Sequence, residues 1–256
     1  MHGYTSQFAS RGVVHLCTVR LGIVSGGNPA RYRSHINHSV YAGRYGLSYR
    51  RNTIAYPDLQ TPHFHKLHAI AEALPEFDWV LWLDDDAFFT DFDKDMRDFL
   101  VGLSSEVLLV VCRSPINLEG NWTFLNTGVF FIRNDPEAIR LLWKVDAAPK
   151  PLVEKWWDPK KVGILTPGEQ LHLIYVLHRD QLLPRIKLFD YTAFNARYYH
   201  YKTRPDEHRI VHFAGVPERG LAIKEFGDRF GMDESLVPSD CMRMFGADAK
   251  RLASFE

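Results

Sequence analysis

Two hydrophobic patterns alternate along the chain. Short unbroken apolar runs suit strands buried on both faces, and stretches with apolar residues three and four apart suit helices. Residues 13–24 are apolar and β-rich and predict a first strand, broken at Ser25-Gly26-Gly27-Asn28-Pro29. Residues 31–46 predict a helix capped by Gly46, and residues 47–51 a short second strand. Thr61-Pro62 opens a second helix striped with Leu67, Ile70, Ala71 and Leu74. A helix is expected over 92–103, a strand over 106–112 and another after Gly128. Asn134-Asp135-Pro136 then starts a helix through Trp143. Residues 149–168, rich in Pro, Lys and Trp, predict a mobile loop. Pro167-Gly168-Glu169-Gln170 begins a helix running to His178, followed by strands over 184–189 and from Ile210. The tail beyond Pro217 carries Met, Phe and charged residues at helical spacing. A β-α-β-α-β order implies parallel pairing, so the expected class is α/β with a mainly parallel central sheet flanked by helices.

The most informative run is Trp79-Val80-Leu81-Trp82-Leu83-Asp84-Asp85-Asp86-Ala87-Phe88-Phe89, in which apolar residues lead straight into three carboxylates. Ligands of open α/β sheets sit outside the carboxyl ends of the strands. In extended chain alternate side chains share a face, so Asp84 and Asp86 converge while Asp85 points away. Two such carboxylates repel, and a divalent cation with a taste for hard oxygen, Mg²⁺ or Mn²⁺, relieves the repulsion and bridges to phosphates. The plainer alternative is an acidic turn after a strand.

Composition narrows the choice. The 256 residues, 46% of them hydrophobic, suffice for one sizeable core, and a single domain over 1–256 is expected, divided near residue 115 into halves of 10–115 and 116–256. Thirty-one basic residues balance 31 acidic ones, which gives no electrostatic case for nucleic acid or an anionic membrane. Cys17, Cys112 and Cys241 form neither a disulfide framework nor a metal-type spacing, which fits a reducing compartment. No apolar stretch has membrane-spanning length, and Met1-His2-Gly3-Tyr4 does not read as a signal peptide. Asn37-His38-Ser39 and Asn121-Trp122-Thr123 match the glycosylation pattern, which arises often by chance.

Other residues carry possible chemistry. Arg31, Arg33 and Arg44 suit phosphates or a solvated helix face. His63, His65 and His68 suggest a metal cluster, but only His65 and His68 share a helix face, and no acid joins them. Asn126-Thr127-Gly128 is either a turn or a loop aiming polar groups at a ligand.

Several segments in order resemble one family: the retaining glycosyltransferases that include the yeast Golgi α-galactosyl and α-mannosyltransferases and the plant xyloglucan α-xylosyltransferases. They are Trp82 to Asp91, Leu125 to Asn134, Glu169-Gln170 and His212-Phe213-Ala214-Gly215, preceded by Arg31, Asn37-His38, Tyr41-Ala42, Tyr45-Gly46 and Lys66. The resemblance implies a GT-A (Rossmann-like) fold and a UDP- or GDP-sugar held through Mn²⁺ or Mg²⁺. It puts the metal on Asp84, Asp86 and His212, and the donor against Asp84, Asp85, Lys66, Thr127, Gly215 and Arg219. It implies a catalytic set of Gln170, Glu169 and Asn126, with Gln170 at the sugar face and Glu169 bonding sugar hydroxyls or acting as a nucleophile. Where the plant enzymes have a phosphate-contacting lysine five residues after the metal histidine, this chain has Pro217, and Arg219 is the nearest substitute. Trp156, Trp157, Tyr198 and Tyr199 are candidates for stacking on an acceptor sugar.

The expected function is metal-dependent retaining transfer of a hexose or pentose to a carbohydrate or small-molecule hydroxyl, with α-linkage. The start at Met1 and the missing Golgi anchor favour a bacterial cytoplasmic member over the lumenal domain of a Golgi enzyme. The competing readings are a phosphatase with Asp84 as nucleophile and a non-catalytic sugar-nucleotide-binding module.

Overall fold

The computed structural model describes residues 19–243. In chain order its elements are β1 (Leu21–Gly26), α1 (Ser34–Tyr45), β2 (Ser48–Asn52), α2 (His65–Ala73), β3 (Trp79–Asp84), β4 (Ala87–Phe89), β5 (Leu109–Cys112), β6 (Asn126–Arg133), α3 (Pro136–Asp146), α4 (Lys150–Trp156), α5 (Pro159–Val162), α6 (Glu169–Arg179), β7 (Ile186–Phe189), β8 (Ile210–His212) and α7 (Arg219–Phe230). The central sheet has the order β2-β1-β3-β6-β5-β7, and a two-stranded sheet pairs β4 with β8. In the central sheet β6 alone runs against its neighbours, so the sheet is mostly parallel, as expected. Because β6 lies between β3 and β5, one sheet crosses the boundary expected near residue 115.

The unbroken apolar run of β3 follows from burial on both faces. Val80 and Trp82 enter a core shared with α2, α3 and α6, whereas Trp79, Leu81 and Leu83 enter a second core against α1. A third, aromatic core packs Phe88, Val211 and Phe213 on α7.

Two expected elements are corrected. Residues 92–103 form extended chain and a short 3-10 turn, Met96–Leu100, instead of a helix. Asp91 accepts a hydrogen bond from the Asp93 N–H, a local bond that competes with helix formation, and Asp95 accepts from the Arg97 N–H as the cap of the 3-10 turn, so helical backbone starts only at Met96. Residues 149–168 hold α4 and α5 instead of an open loop. Their prolines sit in the first turn, where the missing N–H costs nothing, and the Asp158 side chain caps α5. Of the expected first strand, residues 13–18 lie outside the described residues. Among the cysteines, Cys112 and Cys241 are free and buried, and Cys17 lies outside the described residues. The Asn37 side chain is wholly buried, donating to the Phe89 and Leu236 carbonyls, so the first glycosylation triplet is unavailable in the folded chain.

Candidate active site

The site lies where the topology brings unlike strand ends together. Gly26 and Asp84 are register partners at the carboxyl ends of the parallel pair β1 and β3. The reversed strand β6 delivers its amino end, Asn126-Thr127-Gly128, to the same edge. Asn126 and Thr127 are therefore strand residues rather than a preceding loop. Ala87 of β4 pairs with His212 of β8, and the Phe213 N–H donates to the Asp86 carbonyl, which fixes His212 beside the aspartates. The first turn of α6 closes the far wall with Glu169 and Gln170, and α7 opens with Arg219. The result is a cleft of about 390 Å³ lined by every residue the family resemblance nominated for catalysis, donor binding or metal.

Gly128 is required by this packing. A Cβ there would lie 1.9 Å from His212 Cε1. Gly26 is required as well: at φ +151° a Cβ would meet the Asn52 carbonyl oxygen at 1.8 Å.

One pole of the cleft is closed on itself. Lys66 Nζ, buried, lies 2.8 Å from Asp84 Oδ1 and 2.9 Å from Glu169 Oε1, and donates to the Thr127 carbonyl at 3.0 Å. Burial alone lowers its pKa, but the two carboxylates outweigh burial and raise it. Asp84 Oδ1 also accepts from Trp82 Nε1 at 2.8 Å, which leaves Oδ2 as the oxygen turned toward His212. Thr127 Oγ1 donates to Glu169 at 2.6 Å. Gln170 Oε1 accepts from the Thr127 N–H at 3.1 Å, while its amide nitrogen donates to Thr123 and Thr166.

The other pole is open. Ligand atoms of Asp84, Asp86 and His212 all lie within 4.8 Å of one another, the one such group among the described residues. His212 Nε2 lies 3.2 Å from Asp86 Oδ1 and 3.9 Å from Asp84 Oδ2, yet it is buried and makes no hydrogen bond. Asp86 is buried, which disfavours its ionised form, but its neighbours His212, Arg219 and Arg197 hold the carboxyl below the usual carboxylate range. Two carboxylates, one ionised throughout the physiological range, and a bare imidazole nitrogen pointing between them fit a divalent cation, and the mixed O,O,N set suits Mn²⁺. Arg219 Nη1 is 3.2 Å from Asp86 Oδ2.

Asp85 lies in the turn between β3 and β4, outside the metal group, and accepts from the Arg31 N–H at 2.8 Å. Burial, with Asp86 and Asp84 adding, pushes its carboxyl up to about 6 against that hydrogen bond. Arg31 lines the cleft, whereas Arg44 pairs with Asp93 away from it. His63 and His65 line the cleft but join no metal group, and His68 sits 3.5 Å from Asp146. The four aromatics proposed for an acceptor do not line the cleft. Trp156 packs on Tyr175 and His178, Trp157 Nε1 donates to the Gly163 carbonyl, Tyr198 stacks on Phe213, and Tyr199 packs edge-on against Tyr198. Sequence reasoning missed Asn195 and Arg197, both buried and bonded to the far side of His212. Their one trace was two polar residues flanking a small one, a pattern without chemistry until the fold sets it beside β8.

This architecture is the GT-A fold. Residues 27–110 match the family described as the galactosyl transferase GMA12/MNN10 family. The chain is 30% identical over 205 residues to "Glycosyltransferase 6" of Arabidopsis thaliana, covering 68% of this chain and 46% of that one. It is 31% identical over 138 residues to "Galactomannan galactosyltransferase 1" of Cyamopsis tetragonoloba, covering 52% and 28%. The chain thus spans less than half the length of these relatives. Among solved structures, a glycosyltransferase involved in the glycosylation of the major capsid of PBCV-1 superposes with a TM-score of 0.59 at 20% identity, over 78% of this chain and 96% of that one. The family match contains Lys66 and the three aspartates but ends before Asn126, Glu169, Gln170 and His212. These relatives are plant proteins, so the bacterial compartment expected from the sequence gains no support from them. Among the described residues no helix is long and apolar enough to cross a membrane.

Proposed function

We propose that this chain is a metal-dependent retaining glycosyltransferase that moves a hexose or pentose from a UDP- or GDP-sugar to a carbohydrate hydroxyl, forming an α-linkage. The observation that carries the reading is the unpartnered, buried Nε2 of His212 aimed between Asp84 and Asp86 on a GT-A sheet edge. Asp84, Asp86 and His212 would hold the ion, which when bound supplies positive charge against a leaving diphosphate.

The protein's own groups supply the rest. The charge of Lys66 is taken by Asp84 and Glu169, so its part is to hold that wall, and Arg31 and Arg219 are the cations that meet phosphate. Preorganised charge of this kind costs no rearrangement as the diphosphate departs. Gln170 is locked by Thr127, Thr123 and Thr166, with a remaining lone pair on Oε1 for a sugar centre that gains positive charge. An amide cannot serve as the base that inversion requires. The acceptor hydroxyl therefore approaches on the diphosphate's own side and passes its proton to the departing oxygen.

Thermal-shift screening of UDP-, GDP- and dTDP-sugars with Mn²⁺ identifies the donor through binding linkage. NMR of the anomeric proton in the fresh product is the decisive test. An α-product is expected, and full activity in EDTA or a β-product from an α-donor overturns the reading.

A further inference from the structure

The far side of His212 decides what its near side can bind. We propose that Asn195 is a positioning residue, oriented by Arg197, that keeps the His212 proton on Nδ1 and so turns a bare Nε2 lone pair toward Asp84 and Asp86. The inference rests on the metal reading above and deepens it.

One group beside Asn126 has a polarity that is beyond choice. The Gly128 backbone N–H is a donor, and it lies 3.0 Å from Asn126 Oδ1, which must therefore be the oxygen end of that amide. The Asn195 atom 2.9 Å from Asn126 Oδ1 must then be the amide nitrogen, Nδ2. This leaves the oxygen end, Oδ1, facing His212 Nδ1 at 2.8 Å. An amide oxygen carries no proton, so Nδ1 supplies it, and in the neutral ring Nε2 is then the bare nitrogen. Arg197 Nη1 lies 3.1 Å from the same ring nitrogen and 3.2 Å from Asn195 Oδ1, and the shortest contact of that ring nitrogen is the one to the amide oxygen, at 2.8 Å. In the opposite tautomer, Asn195 Oδ1 would face a ring lone pair at 2.8 Å. The proton on Nε2 would also have no hydrogen bond, since that atom meets neither aspartate in bonding geometry.

Burial keeps water from relaxing the chain of amides. Asn195 is 0% exposed, His212 1% and Arg197 6%. Backbone pairing sets the spacing. Ala196 bridges Val211 in parallel, the His212 N–H donates to the Ala196 carbonyl, and Asn195 and Arg197, two apart, share the face that meets the ring. Burial lowers the Arg197 pKa, opposed by the fields of Tyr199, Asp86 and Asp84. A ligating histidine whose other nitrogen donates to a fixed acceptor has its tautomer and orientation set, and loss of such an acceptor costs about 10–100-fold in metal affinity.

The test uses ¹⁵N NMR of the histidine rings in the metal-free protein, with Mn²⁺ titration followed by EPR. The wild-type chain should show His212 as the Nδ1–H tautomer. Asn195→Ala should shift it toward Nε2–H and weaken Mn²⁺ about 10–100-fold, whereas Asn195→Asp, which keeps an acceptor at Nδ1, should retain the tautomer and bind more tightly than the alanine variant. An Nε2–H tautomer in the wild type overturns the inference without needing any variant to fold. So does wild-type Mn²⁺ affinity in Asn195→Ala. A wild-type chain with the Nδ1–H tautomer but no Mn²⁺ affinity supports the tautomer assignment and defeats the metal reading instead.

Discussion

Within one cleft, Asp84 and Glu169 close around Lys66, while Asp86 stands with His212 and Arg219 a few ångströms away. Asp84 belongs to both poles, with Oδ1 on Lys66 and Oδ2 toward His212. At the Lys66 pole the cation meets two carboxylates and a carbonyl. At the His212 pole a buried ring nitrogen meets none in hydrogen-bond geometry. A satisfied buried ion cluster rigidifies a wall, and removing one partner is costly because it strands the other. An unsatisfied one is maintained only if the surrounding fold dictates it and something else completes it. The same contrast separates two buried histidines. His38 has Nδ1 on the Ser25 hydroxyl and Nε2 donating to the Ala87 carbonyl, whereas His212 uses one nitrogen and leaves the other bare.

Substitutions at the two poles should therefore fail in opposite ways. The largest effect is expected for Asp86→Ala, which should lower sugar transfer by at least about a thousandfold, on the scale of losing a group that stabilises transition-state charge, with little change in the urea midpoint. Steady-state transfer assays beside urea unfolding check this, and a variant that unfolds instead would make the open pole structural. Lys66→Met should do the reverse. It leaves Asp84 and Glu169 facing each other without a cation and should cost about 3–5 kcal/mol of stability, read from the same urea curves. An unchanged midpoint would break the contrast between the poles.

The histidine contrast is sharpened by pH. Burial depresses the His38 pKa to about 3, against an unfolded value near 6.5. The unfolded chain binds the extra proton between those limits, so the stability held by neutral His38 is full above pH 6.5 and is lost as pH falls toward 3. By pH 5 the loss is about 2 kcal/mol, and His38→Gln should flatten that part of a stability–pH curve. A smaller effect is expected for Thr127→Val, which removes the 2.6 Å hydrogen bond to Glu169. Lys66 still pairs with that carboxylate, so the loss is about 1.5 kcal/mol, and calorimetry resolves it.

The legible parts of the sequence were those with local cause. The run Trp79 to Leu83 announced a strand buried on both faces, Gly46 a helix cap with a left-handed backbone, and Asp135-Pro136 a helix start. Strand alternation anticipated that Asp84 and Asp86 converge, but Asp85 and Asp86 form the turn between β3 and β4, and that turn sets their placement. Misread segments were those where one local rule opposed another: Asp91 held a backbone N–H in a local bond and Asp95 set the cap of a short 3-10 turn where a longer helix was expected, and the prolines of 149–168 began helices instead of preventing them.

What the sequence by itself determined was the chemistry available at the cleft and the strand that carries its acids, because both depend on residue type and near-neighbour spacing. Which residues meet across the chain was decided by the tertiary structure. The reversal of β6 brings Thr127 to Gln170, the pairing of β4 with β8 brings His212 to Asp86, and the bridge at Ala196 puts Asn195 behind the imidazole. Those meetings span 43, 126 and 17 residues of chain. Hydrogen-bond polarity, burial and the space left by Gly128 act only once the sheet has brought them together.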